Sequence, residues 1–564
     1  MRWLSALLLL LLGGCAFRDP APDAPLHSLS LRQWETLATT LQQVPDPLQR
    51  AIREEALPRL AISARSTQTD VGSEYNATET LSDLIQQSRT PLLSADEEFR
   101  RRLALLEASP SPQHAFADAL AGFLLEPDYP CRHPVYSAYF QARYGLPVPR
   151  CTEPLPFLVV SRTEGLVPFW LAPERLYAIH LLFAGEGSAM ASRFGHVALR
   201  LVICPEGETS PEACESNLYG HLVLGYMAHI DEFELNSVKA LSGAYRAHLF
   251  AFPFMDVYRG YAIDEFRELY SLPLTLSGAQ LQTLLRQLDE IHWRFEGDYS
   301  FFSRNCATLL QMTLRALLPG YTEQPISDDA YLRPDTFFEA MRETSLVEGE
   351  RLASLAQAEE GGYYFSSTEG YYEAALKAVL AGMTSPAFDD IDTYLARPPE
   401  VRFETIVGDR RYRERLGREP HLLEAQILLE ELALLRGERR LQALGSRYLN
   451  DYGDQLQSAE TLEPLAGDDR AFFRACFLQS VRLVTAAFPT RRAIPDPQST
   501  LPSLPRPALC REEGAPARLN AILTAINRPG SDQWQQLIYT TRLLDETTGN
   551  ILKLQEIPYD TPIR

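Results

Sequence analysis

Near Leu176 the hydrophobic period of this chain switches. Upstream, "LRQWETLATTLQQV", "EEFRRRLALLEAS" and "HAFADALAGFLL" bring apolar residues back every three or four positions, a helical spacing. Downstream, "RLYAIHLLFAG", "GHVALRLVIC", "HLVLGYMAHI" and "RAHLFAFPF" are short aliphatic and aromatic runs separated by Gly- and Pro-containing turns, which is the pattern of strands. "SGAQLQTLLRQLDEIHWRF" then returns to a helix with Ser277 as its cap, and a second helix follows Asn305. Strands and helices gathered in one segment predict an α+β domain. Toward the C-terminus helical periodicity dominates again, broken by Pro-rich stretches such as "PDPQSTLPSLPRP". At 564 residues the chain is too long for one ordinary core. It divides into a helical N-terminal domain at 31–168, the α+β domain at 169–325, and a mainly helical region at 326–564 whose expected role is packing or partner contact.

The N-terminus "MRWLSALLLLLLGGC" carries Arg2, a short apolar run and two glycines before Cys15. It resembles the bacterial lipoprotein signal, which implies that residues 1–14 are removed and that Cys15 becomes a diacylglyceryl cysteine. Residues 15–30, rich in Pro and Asp, then form a tether. By the same resemblance Ala16 after the cysteine favours the outer membrane. The protein is thus expected to be lipid-anchored on the periplasmic face of the bacterial envelope. Disulfides persist in that compartment. Proximity pairs Cys131 with Cys151, Cys204 with Cys214, and Cys476 with Cys510, although sequence alone leaves the connectivity open. Cys306 is the odd thiol and so a candidate reactive group.

Two motifs suggest chemistry. In "SRFGHVALRL", His196, Ala198 and Arg200 share one face of a strand, and Gly195 leaves room beside the imidazole. In "YSFFSRNCATLL", Asn305 caps a helix and places Cys306 in its first turn, where unpaired N–H groups and the helix dipole favour an anion. Such a position, together with an imidazolium, is expected to lower the thiol to about 3.5–7.5. The pair would make a nucleophile for acyl chemistry, Cys306 attacking and His196 serving as base. His221 is the first candidate for a group orienting His196, with Asn217 and His229 as rivals and a structural role open for each. Asn305, Ser188, Ser192 and Phe194 are candidate substrate contacts.

The order of a histidine on a strand followed by "NC" opening a helix resembles the circularly permuted papain-like thiol enzymes, among them the lecithin–retinol acyltransferase group and relatives of NlpC-type amidases. "FGHVALRL", "LPLTLSGAQLQTLL" and "YSFFSRNCATLL" look more closely like the bacterial Lnb-type family, once a domain of unknown function, and "YPCRHPVYSAYFQARYGL" is similar to the segment that often precedes that domain. The resemblance spans roughly residues 120–320. It implies a thiol acyltransferase or acyl hydrolase: Cys306 takes an acyl chain from a phospholipid as a thioester and passes it to an amine, in Lnb-type enzymes the N-terminal amine of a lipoprotein. In the acyltransferase members membrane-spanning helices follow the domain, whereas this chain has no later run of about 18 uninterrupted apolar residues.

Other classes fit less well. A net charge of −21 would repel nucleic acid. Ser188 and Ser192 lack the flanking glycines of a nucleophile elbow, "GEG" lacks the third glycine of a dinucleotide loop, and H-E-x-x-H and C-x-x-C are absent. No metal or cofactor is called for. A peptidoglycan amidase of the NlpC type would use the same nucleophile and base. A non-catalytic envelope scaffold would use neither.

Overall fold

The computed structural model describes residues 31–56, 77–106, 111–187, 193–229, 245–301, 303–326, 332–384, 388–457, 462–479, 493–505, 507–512, 514–526 and 532–557. Cys15, Ser188 and Ser192 lie outside them. The chain forms two compact units, the first comprising 1–104 and 109–150, the second 105–108 and 151–564.

The first unit is helical, as its period predicts. Leu81, Leu84 and Ile85 line the inner stripe of helix Ala77–Gln86, and helix Pro112–Leu125 is buried along most of its length. Phe99 sits at the centre of an aromatic cluster, 5.1 Å from both Phe116 and Tyr136 and 5.3 Å from Tyr139 between ring centroids. Gly145 ends helix Pro134–Tyr144 at φ 66°, and its N–H reaches the Gln141 carbonyl at 2.9 Å. That left-handed turn is one that glycine adopts without strain.

The second unit is built on a ten-stranded mixed sheet. In chain order its strands are β1 (Leu155–Ser161), β2 (Gly165–Leu171), β3 (Leu176–Ala184), β4 (His196–Ile203), β5 (Leu222–His229), β6 (Tyr245–Pro253), β7 (Leu269–Pro273), β8 (Gly297–Tyr299), β9 (Tyr364–Phe365) and β10 (Leu504–Pro505). They run β10-β2-β1-β6-β5-β4-β3-β7-β9, with β8 on β6. Among the described strands, only β1 and β6 pair in parallel, at Val159 and Ala251. The boundary at 168 expected from sequence therefore needs correcting, because β1 and most of β2 fall inside the stretch expected to be helical. The partner of β1 in the middle of the sheet, β6, lies about 90 residues downstream, which a local period does not reveal.

Alternation along β4 sorts the two faces. Val197 pairs with Phe183, and Leu199 with Leu224. Helices α1 (Gly278–Arg294) and α2 (Cys306–Leu317) pack on β1, β4, β5 and β6. The Tyr226 and Thr313 hydroxyls, 2.6 Å apart, pin α2 to β5. On the other face Leu182, Ala198 and Val223 form a core with Phe254. Helix α1 forms where expected. The Ser277 hydroxyl accepts the Gln280 N–H while the Gln280 side chain takes the Ser277 N–H, a reciprocal cap. Leu284, Leu285, Leu288 and Ile291 line its buried stripe, each worth about 1.5–3 kcal/mol of burial.

Beyond the sheet the chain is mainly helical. Helix α3 (Pro420–Gln457) packs against α4 (Asp532–Gln555), and between them a buried Arg402–Glu430 ion pair at 2.9 Å takes further hydrogen bonds from Tyr394 and Asn550. Cysteine pairing follows proximity: Cys204 is bonded to Cys214 and Cys476 to Cys510. Cys131 in the first unit and Cys151 in the second are each disulfide-bonded. Cys306 is the free cysteine among the described residues, and it is buried.

Candidate functional site

Cys306 stands at the first position of α2 because Asn305 ends the preceding turn in an extended conformation and caps the helix. The Asn305 Oδ1 accepts the N–H groups of Ala307 at 2.9 Å and Thr308 at 3.1 Å. Its Nδ2 donates to the carbonyls of Leu332 at 3.0 Å and Phe301 at 3.3 Å. Both oxygen lone pairs and both amide hydrogens are thereby used. Asn305 is a cap and brace, not the free substrate contact expected from sequence.

The Cys306 sulfur meets three backbone N–H groups, from Val197, Ala307 and Cys306 itself, and the Arg267 guanidinium acts on it from nearby. All four favour the thiolate. Burial outweighs them, with the residue only 3% exposed, and pushes the thiol up to about 11. The expected acidic thiol is therefore corrected: the resting group is a neutral thiol inside a set of donors arranged for an anion.

The Val197 N–H belongs to the residue after His196, so the start of β4 reaches the thiol although 110 residues separate the two motifs. Gly195 enters β4 at φ 82°, and a Cβ there would lie 2.3 Å from the Phe183 ring and 2.6 Å from the Ala184 carbonyl oxygen. The space beside the imidazole is thus occupied by β3. Across the sheet, a Cβ on Gly225 would stand 3.6 Å from His196 Nε2. Burial first, and then the Arg267 charge, push His196 down to about 4. At neutral pH both groups are uncharged, a thiol and an imidazole.

His221 does not orient His196. Arg200 donates to its Nδ1 from Nε at 3.2 Å and from Nη2 at 3.0 Å. That fixes the proton on Nε2, which donates to the Cys214 carbonyl at 2.8 Å. Burial and then Arg200 hold this ring down to about 3. Arg200 also donates to Ser271 and to the Gly362 carbonyl, and His180 lies 3.3 Å from Glu215. This is a separate buried network bracing β3, β4 and β7 near the Cys204–Cys214 disulfide. Asn217 is likewise structural, donating to the Ile203 carbonyl, and the His229 ring packs on His248 and Phe250. Phe194 lies under the Arg333 guanidinium at 4.4 Å, so one ring face is already covered.

Sequence reasoning missed Tyr261, Arg267 and Tyr299. The Tyr261 ring centroid is 6.1 Å from that of His196, and burial first, with the Cys306 thiolate adding to it, pushes both phenols up. Arg267 stacks on Tyr261 at 4.4 Å. The segment delivering these two contains a π-helical turn at Arg259–Ile263 and a non-glycine residue, Phe266, at φ 55°. Irregularities of this kind concentrate at functional sites. Helix α3 holds the segment in place: Arg439 binds Asp264 at 3.1 Å and the Gly260 carbonyl at 3.4 Å, while Arg436 covers the Phe266 ring at 4.7 Å. A cavity of about 680 Å³ opens beside Arg267, walled by Phe183, Phe266, Tyr270 and Phe338.

Comparison with known families matches residues 170–334 to the Lnb N-terminal periplasmic domain. The matched span contains His196, Tyr261, Arg267, Tyr299 and Cys306. A periplasmic location fits that family, and no described helix is long and apolar enough to cross a membrane. No curated protein and no solved structure matches the chain.

Proposed function

We propose that this protein is a periplasmic thiol acyltransferase or acyl hydrolase that carries its acyl group on Cys306. The observation behind this reading is the placement of a free thiol at a helix N-terminus, with an N–H from the His196 strand directed at its sulfur, inside the span that matches the Lnb domain. The histidine strand preceding the cysteine helix also supports a permuted papain-like arrangement.

The resting pair is neutral, so proton transfer accompanies attack. His196 accepts the Cys306 proton as sulfur bonds to the carbonyl carbon of a phospholipid ester. N–H groups at the start of α2 would donate to the developing oxyanion. The C–O bond then breaks, and the imidazolium returns its proton to the departing alkoxide, leaving a thioester and a lysophospholipid. An incoming amine, such as the N-terminal amine of a lipoprotein, attacks the thioester while His196 takes its proton. The C–S bond breaks and the thiol is restored with that proton. If water replaces the amine, the product is a free acid. Lipidation of Cys15 would hold the site at the membrane surface where donor and acceptor lie.

Incubation with a phospholipid bearing a fluorescent acyl chain tests this reading. Hydroxylamine-sensitive labelling of the wild type, absent from Cys306→Ala, is expected. Unlabelled wild type that instead releases stem peptides from purified peptidoglycan would replace it with the amidase.

A further inference from the structure

Among the described residues no carboxylate is hydrogen-bonded to His196, and His221 serves elsewhere. What faces the pair is a buried cation. Arg267 is 3% exposed, and its guanidinium is held by three acceptors. Nε donates to the Gly185 carbonyl at 2.7 Å, Nη2 to the Ala184 carbonyl at 2.9 Å, and Nη1 to a Glu265 carboxylate oxygen at 2.9 Å. Ala184 is the register partner of His196 across β3 and β4, so these bonds tie the cation to the strand pair that presents the imidazole. Its flat face lies on Tyr261 at 4.4 Å, and Tyr261 in turn lies against His196 at 6.1 Å. A guanidinium fixed by two carbonyls and one partly exposed carboxylate keeps much of its charge in a poorly solvated place.

We propose that Arg267 is the electrostatic positioning residue of this site, a fixed cation tied through Ala184 to the strand pair that presents His196 and spaced from the imidazole by the Tyr261 ring. The inference rests on the reading of Cys306 and His196 as one reacting pair. The titratable and charged groups facing the pair are Tyr299 beside α2, Tyr261, Glu265 and Arg267 on the irregular segment, and Arg439 of α3 beyond Glu265. Arg267 is the one charged residue of this set acting on both Cys306 and His196.

Iodoacetamide alkylation of Cys306 as a function of pH, followed on its tryptic peptide, reads the thiolate directly and needs no acyl donor. In Arg267→Gln the midpoint is expected to rise by about one pH unit, the lower end of the effect of a nearby opposite charge, and Arg267→Lys should recover part of the shift. Glu265→Gln, at a position one-third exposed, leaves the cation less neutralised and should lower the midpoint. It also keeps the test decisive if the glutamine variant at 267 does not fold. An unchanged midpoint in folded Arg267→Gln, or a rise in Glu265→Gln, would overturn the proposal. A shifted midpoint in protein that no phospholipid labels would remove the acyl-transfer reading and leave this one standing. A labelled Cys306 with an unshifted midpoint would do the reverse.

Discussion

Lowering the pH from neutral toward 4 should loosen the packing of α1 on the sheet, and one imidazole sets the scale. His292 is fully buried. Its Nε2 accepts the Leu158 N–H of β1 at 2.9 Å, so its Nδ1 carries the proton and donates to the Leu249 carbonyl of β6 at 2.7 Å. A second proton on Nε2 would displace the Leu158 N–H from it, and burial holds the group down to about 4. The unfolded value near 6.5 is higher, so between 6.5 and 4 the unfolded chain binds a proton that the folded protein does not. The stabilisation is therefore fully present above 6.5 and is lost as pH falls toward 4. The difference corresponds to about 3 kcal/mol, and full burial removes the need for a solvent-screening discount. Urea transitions reported by buried Trp293, which adjoins His292 and donates to the Pro156 carbonyl, would measure it in wild type and in His292→Gln. At neutral pH the variant should be less stable by about 1–3 kcal/mol for each backbone group left unpartnered. Its further loss on acidification should be about 3 kcal/mol smaller than that of the wild type. Equal losses in the two proteins would refute this account of His292.

Two other perturbations test the architecture around the site. Arg439→Ala removes the clamp of α3 on Asp264, and because that guanidinium is one-third exposed the global cost should stay below about 1 kcal/mol. Acyl transfer should still drop about tenfold as the segment carrying Tyr261 and Arg267 loses its placement, so unchanged turnover would show that α3 does not support the site. Gly195→Ala forces a side chain into the Phe183 ring and the Ala184 carbonyl at a positive φ, at a cost of at least about 2 kcal/mol. Calorimetry should find a Tm several degrees lower, and wild-type melting would contradict the packing of Gly195 against β3.

What proved legible in the sequence was local. The Ser277 and Asn305 caps rest on contacts two or three residues away, and the Cys204–Cys214 and Cys476–Cys510 pairs follow from short separations in an oxidising compartment. The alternation of β4 placed Arg200 beside Ala198 on the strand face carrying His196. What failed depended on burial or on distant partners. A helix N-terminus predicts an acidic thiol, but the strength of desolvation around Cys306 depends on β4 and the Tyr261 segment covering it. His221 looked like an orienting group because its role is decided by Arg200, on a neighbouring strand. The Asn305 amide is completed by Leu332, 27 residues on. Tyr261 and Arg267 lay in "YRGYAIDEFRELY" without a spacing that marks them, and what sets that stretch apart, the π-helical turn at Arg259–Ile263 and the positive φ at Phe266, is seen in the structure. The mainly helical C-terminal region was expected to serve packing, and Arg436 and Arg439 give that role a specific object, the segment behind the thiol.

The central claim is that Cys306 carries an acyl group, and trypsin isolates that residue on the peptide Asn305–Arg315. After exposure of the intact protein to phospholipid vesicles, mass spectrometry of this peptide should find it heavier by one acyl chain, with the addition removed by hydroxylamine and absent from His196→Ala. An unmodified peptide from folded wild-type protein, under conditions where iodoacetamide still reaches Cys306, would contradict the account.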